Sequence, residues 1–170
     1  FIAIFVGAGV FLFFLLKEDM NLDPLATVNQ FLIYYFVVDL VFRYLIQKMP
    51  VTNIRPLLLM PIKKDSIVHY TLGKTMISFF NVIHAFFFIP FTIVLLLNGY
   101  GFQVVFWHLG ILAIIYANNF INILINNKDR VFYPVLALVV GCGVAQYYNV
   151  FDVTNYTAPF FQGLYNTGYL

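Results

Sequence analysis

The sequence predicts an all-α fold: a polytopic integral membrane helical bundle of about five spans, with a basic cytoplasmic loop containing short helices between spans two and three. Three observations lead there. Of 170 residues, 62% are hydrophobic and only 9% charged, against roughly 25% charged residues in soluble domains, so too few polar side chains exist to clothe a globule in water. Apolar runs of about spanning length recur along the chain, each closed by a short polar connector. The polar residues that remain are concentrated in the stretch from Arg43 to Lys74.

Phe1 to Leu16 is apolar and ends at Lys17-Glu18-Asp19. It is slightly short for a hydrocarbon core of about 30 Å, as a span clipped at its start would be, and the chain reads as an excerpt of a longer protein. The run has no basic start and no small-residue cleavage site, so it is not expected to be a signal peptide. Pro24 suits the first position of a second helix with Asp23 as its N-cap. That span covers residues 24–47 and carries Asn29, Gln30, Asp39 and Arg43.

Residues 48–74 form the loop. Pro50, Pro56 and Pro61 forbid one continuous helix. Ile54 to Met60 is expected as a short amphipathic piece at the interface. Asp65-Ser66 can cap a helix that starts near Ser66 and runs through Lys74 into the third span, residues 75–97, with Pro90 as a kink. Asn98-Gly99-Tyr100-Gly101 reads as a turn. The fourth span covers residues 102–125 and ends at Asn126-Asn127-Lys128-Asp129-Arg130. The fifth covers 131–150 and leads to Asp152, expected outside. Residues 157–170 read either as an interfacial segment or as the start of a further span.

Orientation follows from charge. The segment from Arg43 to Lys74 holds Arg43, Lys48, Arg55, Lys63, Lys64 and Lys74 against Asp65, a local charge of +5 in a chain of +2. A basic loop between spans stays in the cytoplasm. The connectors alternate −2, +5, neutral, +1 and −1 along the chain, which fits alternating spans.

Few motifs carry chemistry. Gly73-Lys74-Thr75 resembles the tail of a phosphate-binding loop, but Val68 stands where that motif needs Gly and a helix is expected where it needs a strand. His69, His84 and His108 have no metal-ligand spacing, so no metal site is expected. Cys142 is expected buried and inert. Gly7-x-Gly9 and Gly141-x-Gly143 suit close helix packing. Asn155-Tyr156-Thr157 fits a glycosylation acceptor that matters only in a secreted setting.

Intramembrane polar residues are more informative. Asp39 and Arg43 share a helix face at i,i+4, either as a structural pair or as part of a functional site. Asn118, Asn122 and Asn126 form a second polar face, reinforced by Asn119. Counting from the cytoplasmic ends at 1.5 Å per residue puts Asp39, His84 and Asn118 roughly 12–14 Å deep, and Arg43 and Asn122 about 6 Å deep. Polar groups in hydrocarbon seek one another. Asp39, Arg43, His84, Asn118 and Asn122 are therefore expected to share one intramembrane polar cluster.

The segment Leu57-Leu58-Leu59-Met60-Pro61-Ile62-Lys63-Lys64-Asp65-Ser66-Ile67-Val68, followed by Gly73-Lys74, resembles the cytoplasmic loop of ABC-2 type transporter permeases, in a bacterial branch of that family. The resemblance implies a permease subunit in the bacterial cytoplasmic (inner) membrane, exporting an unknown substrate. A separate cytosolic ATPase subunit would bind the ATP and dock on a coupling surface at Pro61, Ile62, Lys63, Lys64 and Asp65. It also implies a homo- or heterodimer of permeases. The chain would have no ATPase motif, cofactor or nucleic-acid partner of its own. The rival expectations are a membrane scaffold that binds anionic lipids or a partner, and a membrane-embedded enzyme.

Overall fold

The computed structural model describes residues 2–47, 59–125 and 128–166. Every regular element among them is helical: α1 Ile2–Phe14, α2 Pro24–Ile46, α3 Lys64–Met76, α4 Phe79–Leu97, α5 Gln103–Ile125, α6 Asp129–Tyr147 and α7 Val153–Tyr165. Four stretches are long and apolar enough to cross a membrane: α2, the run Lys64–Leu97, α5 and Arg130–Tyr147. Residues 48–58 of the basic loop, most of the expected Ile54 to Met60 piece, Asn126 and Asn127, and the last four residues lie outside the described residues.

Local chemistry sets the helix ends. Asp23 is extended and its Oδ1 accepts from Leu25 N at 3.0 Å, with Pro24 at the first helical position, which satisfies an otherwise orphaned donor. α1 does not stop at Lys17: it passes into one wider π-helical turn, Leu15–Asp19. The α4–α5 turn needs glycine twice, since Gly99 and Gly101 have φ of +87° and +77°.

α1 lies against α4, α4 against α5, and α2 against both α5 and α7. Phe88, Phe91, Trp107 and Ile111 are fully or almost fully buried where α4 meets α5. Trp107 Nε1 donates to Asn29 Oδ1 at 2.8 Å, and Asn29 Nδ2 donates to Gln162 Oε1 at 2.9 Å. This line of amides ties α5, α2 and α7 together without leaving an indole N–H bare. Lys17 Nζ donates to Asn98 Oδ1 at 3.1 Å and Tyr100 OH to Asp23 Oδ1 at 2.8 Å. Both bonds pin the α1–α2 connector and the α4–α5 turn to one end of the bundle.

The structure departs from the sequence expectations in five places. The helix entering the third span is not continuous: it breaks at Ile77–Ser78, where Asn81 Nδ2 donates to Thr75 O at 3.1 Å and Met76 O at 2.9 Å. Asn81 gives Met76 O a donor and Thr75 O a second one beside Ser78 N–H at 3.2 Å, which makes this an elbow. Its upstream helix starts at Lys64, not near Ser66; Lys63 is the N-cap residue without a side-chain bond, and Asp65 sits in the first turn, favourable to the helix dipole. Of the paired glycines, only Gly9 is at a close approach: a Cβ there would meet the backbone of Phe87 and Phe91, whereas Gly7, Gly141 and Gly143 face open space. Cys142 is only half-buried, because most of α6 stands clear of its neighbours.

The fifth departure is the C-terminal region. α7 runs antiparallel to α2, with Gln162 on Asn29 and the Phe161 ring 5.8 Å from that of Phe36. Its final residue, Tyr165, donates to Tyr100 O at 2.6 Å. The end of α7, not its start, therefore reaches the Lys17–Asn98 end. Asp152, which caps α7 through Thr154 N at 3.0 Å, accepts from Gln146 at 3.2 Å, and Gln146 in turn accepts from Tyr34 in the middle of α2. Asp152 thus lies away from the Asn98 turn, because α7 is a half-length helix of 13 residues.

Candidate intramembrane polar site

The site forms where α2, α4 and α5 meet. Tyr35, Asp39 and Arg43 recur every four residues on α2, so they share one face. His84 comes from α4 and Asn118 from α5. Arg43 is fully buried, Asp39 and His84 nearly so.

Geometry is tight. Arg43 Nε donates to Asp39 Oδ2 at 2.8 Å, and His84 Nε2 lies 3.0 Å from Asp39 Oδ1. Asn118 Nδ2 donates to Asp39 Oδ2 at 3.1 Å and to Phe36 O at 2.8 Å. The carboxylate therefore has a donor on each oxygen and a second on Oδ2. Arg43 Nη2 donates to Phe80 O at 3.2 Å and lies 3.1 Å from His84 Nε2. The remaining ring nitrogen of His84, Nδ1, is hydrogen-bonded to the Tyr35 hydroxyl. A buried ion pair persists only when its desolvation is offset by such a full set of partners.

Four of the five expected cluster residues, Asp39, Arg43, His84 and Asn118, are thus in direct contact. Asn122 is buried on the same α5 face one turn on, but its Oδ1 has no hydrogen-bond partner among the described residues. Sequence reasoning missed Tyr35, although its i,i+4 spacing to Asp39 was a usable signal. It also missed Gln47 and Thr75. Arg43 Nη1 donates to Gln47 Oε1 at 3.3 Å, Gln47 Nε2 to Asn119 Oδ1 at 3.2 Å, and Asn119 Nδ2 to Thr75 Oγ1 at 3.3 Å. This relay runs from the cluster across α5 to the last turn of α3.

Pro61, Ile62, Lys63, Lys64 and Asp65 are all exposed at the head of α3. That helix sits on the bundle by one side only: Ile67 and Thr75 are buried, whereas Ser66, His69, Tyr70 and Lys74 are exposed. The exposed segment from Pro61 to Asp65 and the polar cluster are separate places in the fold, joined through α3, the elbow and the relay.

Chemically, the cluster is a carboxylate, a guanidinium and an imidazole packed together out of water, with a phenol at their edge. No group of three His, Cys, Asp or Glu that could hold a metal ion is found among the described residues. Fold and site together define an all-helical bundle with membrane-crossing helices and a charge-compensated polar centre. The chain belongs to DUF5687, a family of unknown function whose model matches residues 1–170. No curated protein and no solved structure matches it.

Proposed function

We propose that the chain is the permease subunit of an ABC-2 type exporter in the bacterial inner membrane. In this reading α1, α2, α4 and α5 cross the membrane, α6 enters it from the inner side and ends beside the middle of α2, and the basic loop lies in the cytoplasm. A separate ATPase docks on the 43–74 loop, contacting Pro61, Ile62, Lys63, Lys64 and Asp65. The observation that carries the reading is the relay Thr75–Asn119–Gln47–Arg43. It connects an exposed basic helix, which a cytosolic partner could push, to charged groups deep between α2, α4 and α5. Asn81 fastens α3 to α4 at the elbow, so a displacement of α3 is carried into α4 as a rigid-body tilt rather than absorbed by a loose hinge.

The test is ATP hydrolysis by the partner ATPase reconstituted with the full chain. Pro61→Ala combined with Lys64→Glu is expected to abolish stimulation while membrane insertion is unchanged. Full stimulation by that variant would instead favour the scaffold reading, in which exposed Lys63, Lys64 and Lys74 bind anionic head groups.

A further inference from the structure

A cavity of about 440 Å³ lies between α2 and α4. Val38, Phe42, Phe80, Ile83 and Phe87 make its walls, and Tyr35, Asp39 and His84 supply its polar groups. Val38 and Phe42 are more than half exposed, at 51% and 54%, so the cavity opens sideways on the bundle surface, toward the lipid of a surrounding bilayer. Small-molecule sites have this make-up: a few hundred Å³, apolar and aromatic walls, and few polar groups.

The hydrogen bonds at His84 cannot all be made at once. With a proton on Nε2, His84 donates to Asp39 Oδ1, but then its N–H opposes the Arg43 Nη2 donor 3.1 Å away. Without that proton, Nε2 accepts from Arg43 but sets a lone pair against the carboxylate at 3.0 Å. A full negative charge is the stronger acceptor, so the Nε2–H form prevails, and Nδ1 must accept from the Tyr35 hydroxyl. In that state the cluster is neutral and Tyr35 offers the cavity only lone pairs. A proton taken from water can bind at Nδ1 alone. The imidazolium then donates to the Tyr35 oxygen, the phenol O–H turns toward the cavity, and the cluster carries +1. A net charge in low dielectric calls for a counter-ion.

We propose that this cavity binds a single-chain amphiphile with an anionic head group, its chain among Phe42, Ile83 and Phe87, its head accepting from Tyr35, and that binding takes up one proton at His84. The charged or titratable groups facing His84 are Tyr35, Asp39 and Arg43, all on α2. Among the described residues, α1 and α5, the other elements packed on α4, present none to it: Lys17 bonds Asn98, and His108 bonds Thr92 at 2.8 Å. The proposal does not depend on an ATPase partner.

The probe is a dodecyl sulfonate carrying a diazirine, ionised at every pH used, with the alcohol and trimethylammonium analogues for comparison. The full chain is held in nanodiscs and labelled residues are read by mass spectrometry. Labelling is expected at Val38, Phe42, Ile83 and Phe87, with affinity falling by up to about tenfold per pH unit as pH rises, the slope that linkage to one proton requires. Neither analogue should share that dependence. His84→Gln should abolish the pH dependence. Tyr35→Phe, which removes one hydroxyl, should weaken sulfonate binding about tenfold at low pH while ¹⁵N spectra still show His84 titrating. That variant also serves if His84→Gln does not fold. Displacement of the probe by lysophosphatidylglycerol would support the site and name a single-chain lipid of the bilayer as the source of the head group; displacement by free alkyl sulfonate alone would name a free amphiphile. Labelling elsewhere, pH-independent binding, preference for the cation, or an unchanged Tyr35→Phe would overturn it.

Discussion

Arg43 Nε lies 2.8 Å from Asp39 Oδ2, one helical turn away on α2, with the guanidinium fully buried and the carboxylate nearly so. The pair is held by α4 and α5 as much as by its own helix, because His84, Phe80 O and Asn118 complete its hydrogen bonds. Removing one partner leaves the other as an uncompensated buried charge. Arg43→Ala is expected to cost about 3–5 kcal/mol. Asp39→Leu combined with Arg43→Met should recover most of that loss, since the charges then disappear together. Thermal unfolding in detergent checks the cycle, and a double variant as unstable as the single one would show that the pair is not the unit.

Gly9 and Gly7 should respond oppositely to alanine. A Cβ at position 9 enters the backbone of Phe87 and Phe91, while position 7 has nothing within 4 Å. Gly9→Ala is expected to destabilise by about 1–3 kcal/mol through overpacking of α1 on α4. Gly7→Ala should be neutral or favourable by up to about 1 kcal/mol, from helix propensity. The same melting experiment distinguishes them.

The elbow depends on Asn81. Asn81→Ala leaves Met76 O without the Asn81 donor and Thr75 O with the Ser78 N–H at 3.2 Å alone, a loss of about 1 kcal/mol per hydrogen bond. Amide exchange in the last turn of α3 should accelerate before exchange in α4. Uniform acceleration through both helices would mean that the break is set by something other than this side chain.

Sidedness follows from the bundle ends. Lys17 and Asn98 are bonded to each other, and α4 separates Asn98 from Ser78 by a full helix of 19 residues. Cysteines at positions 64 and 128 should label from one membrane face, and those at 17 and 98 from the other. Labelling of positions 64 and 98 from the same face would remove this arrangement of spans.

Tyr100 gives a pH dependence at the opposite extreme from the cluster. Partial burial first, then its bond to Asp23, holds the phenol well above its usual range. A raised folded pKa contributes stability that is complete below the unfolded value near 10 and declines as pH rises beyond it. Tyr100→Phe should therefore flatten the loss of stability above pH 10, measured against the parent chain. An unchanged slope would assign the alkaline loss to other groups.

How much was legible can be judged residue by residue. Depth counting placed Asp39, His84 and Asn118 at one level because helix rise is fixed and each span meets the same boundary, and the structure puts both His84 and Asn118 in hydrogen-bond contact with Asp39. Tyr35, one helical turn before Asp39 on the same face, was within reach of the same reasoning and was not singled out. Gln47, Asn119 and Thr75 were not legible as a relay, since three helices must converge before their side chains meet.

The sequence by itself determined the helical membrane class, the cap at Asp23 and the shared level of Asp39, His84 and Asn118, because composition, caps and helix rise are local properties. Tertiary structure alone decided the elbow at Ile77–Ser78, the role of Gly9 but not Gly7, and the course of α7 along α2. It also brought Tyr35 onto His84 and opened the cavity beside them. Each of these depends on which face of one helix meets which face of another. In a chain where nearly every face is apolar, hydrophobic periodicity cannot encode that choice. Packing shape and the few buried hydrogen bonds make it instead.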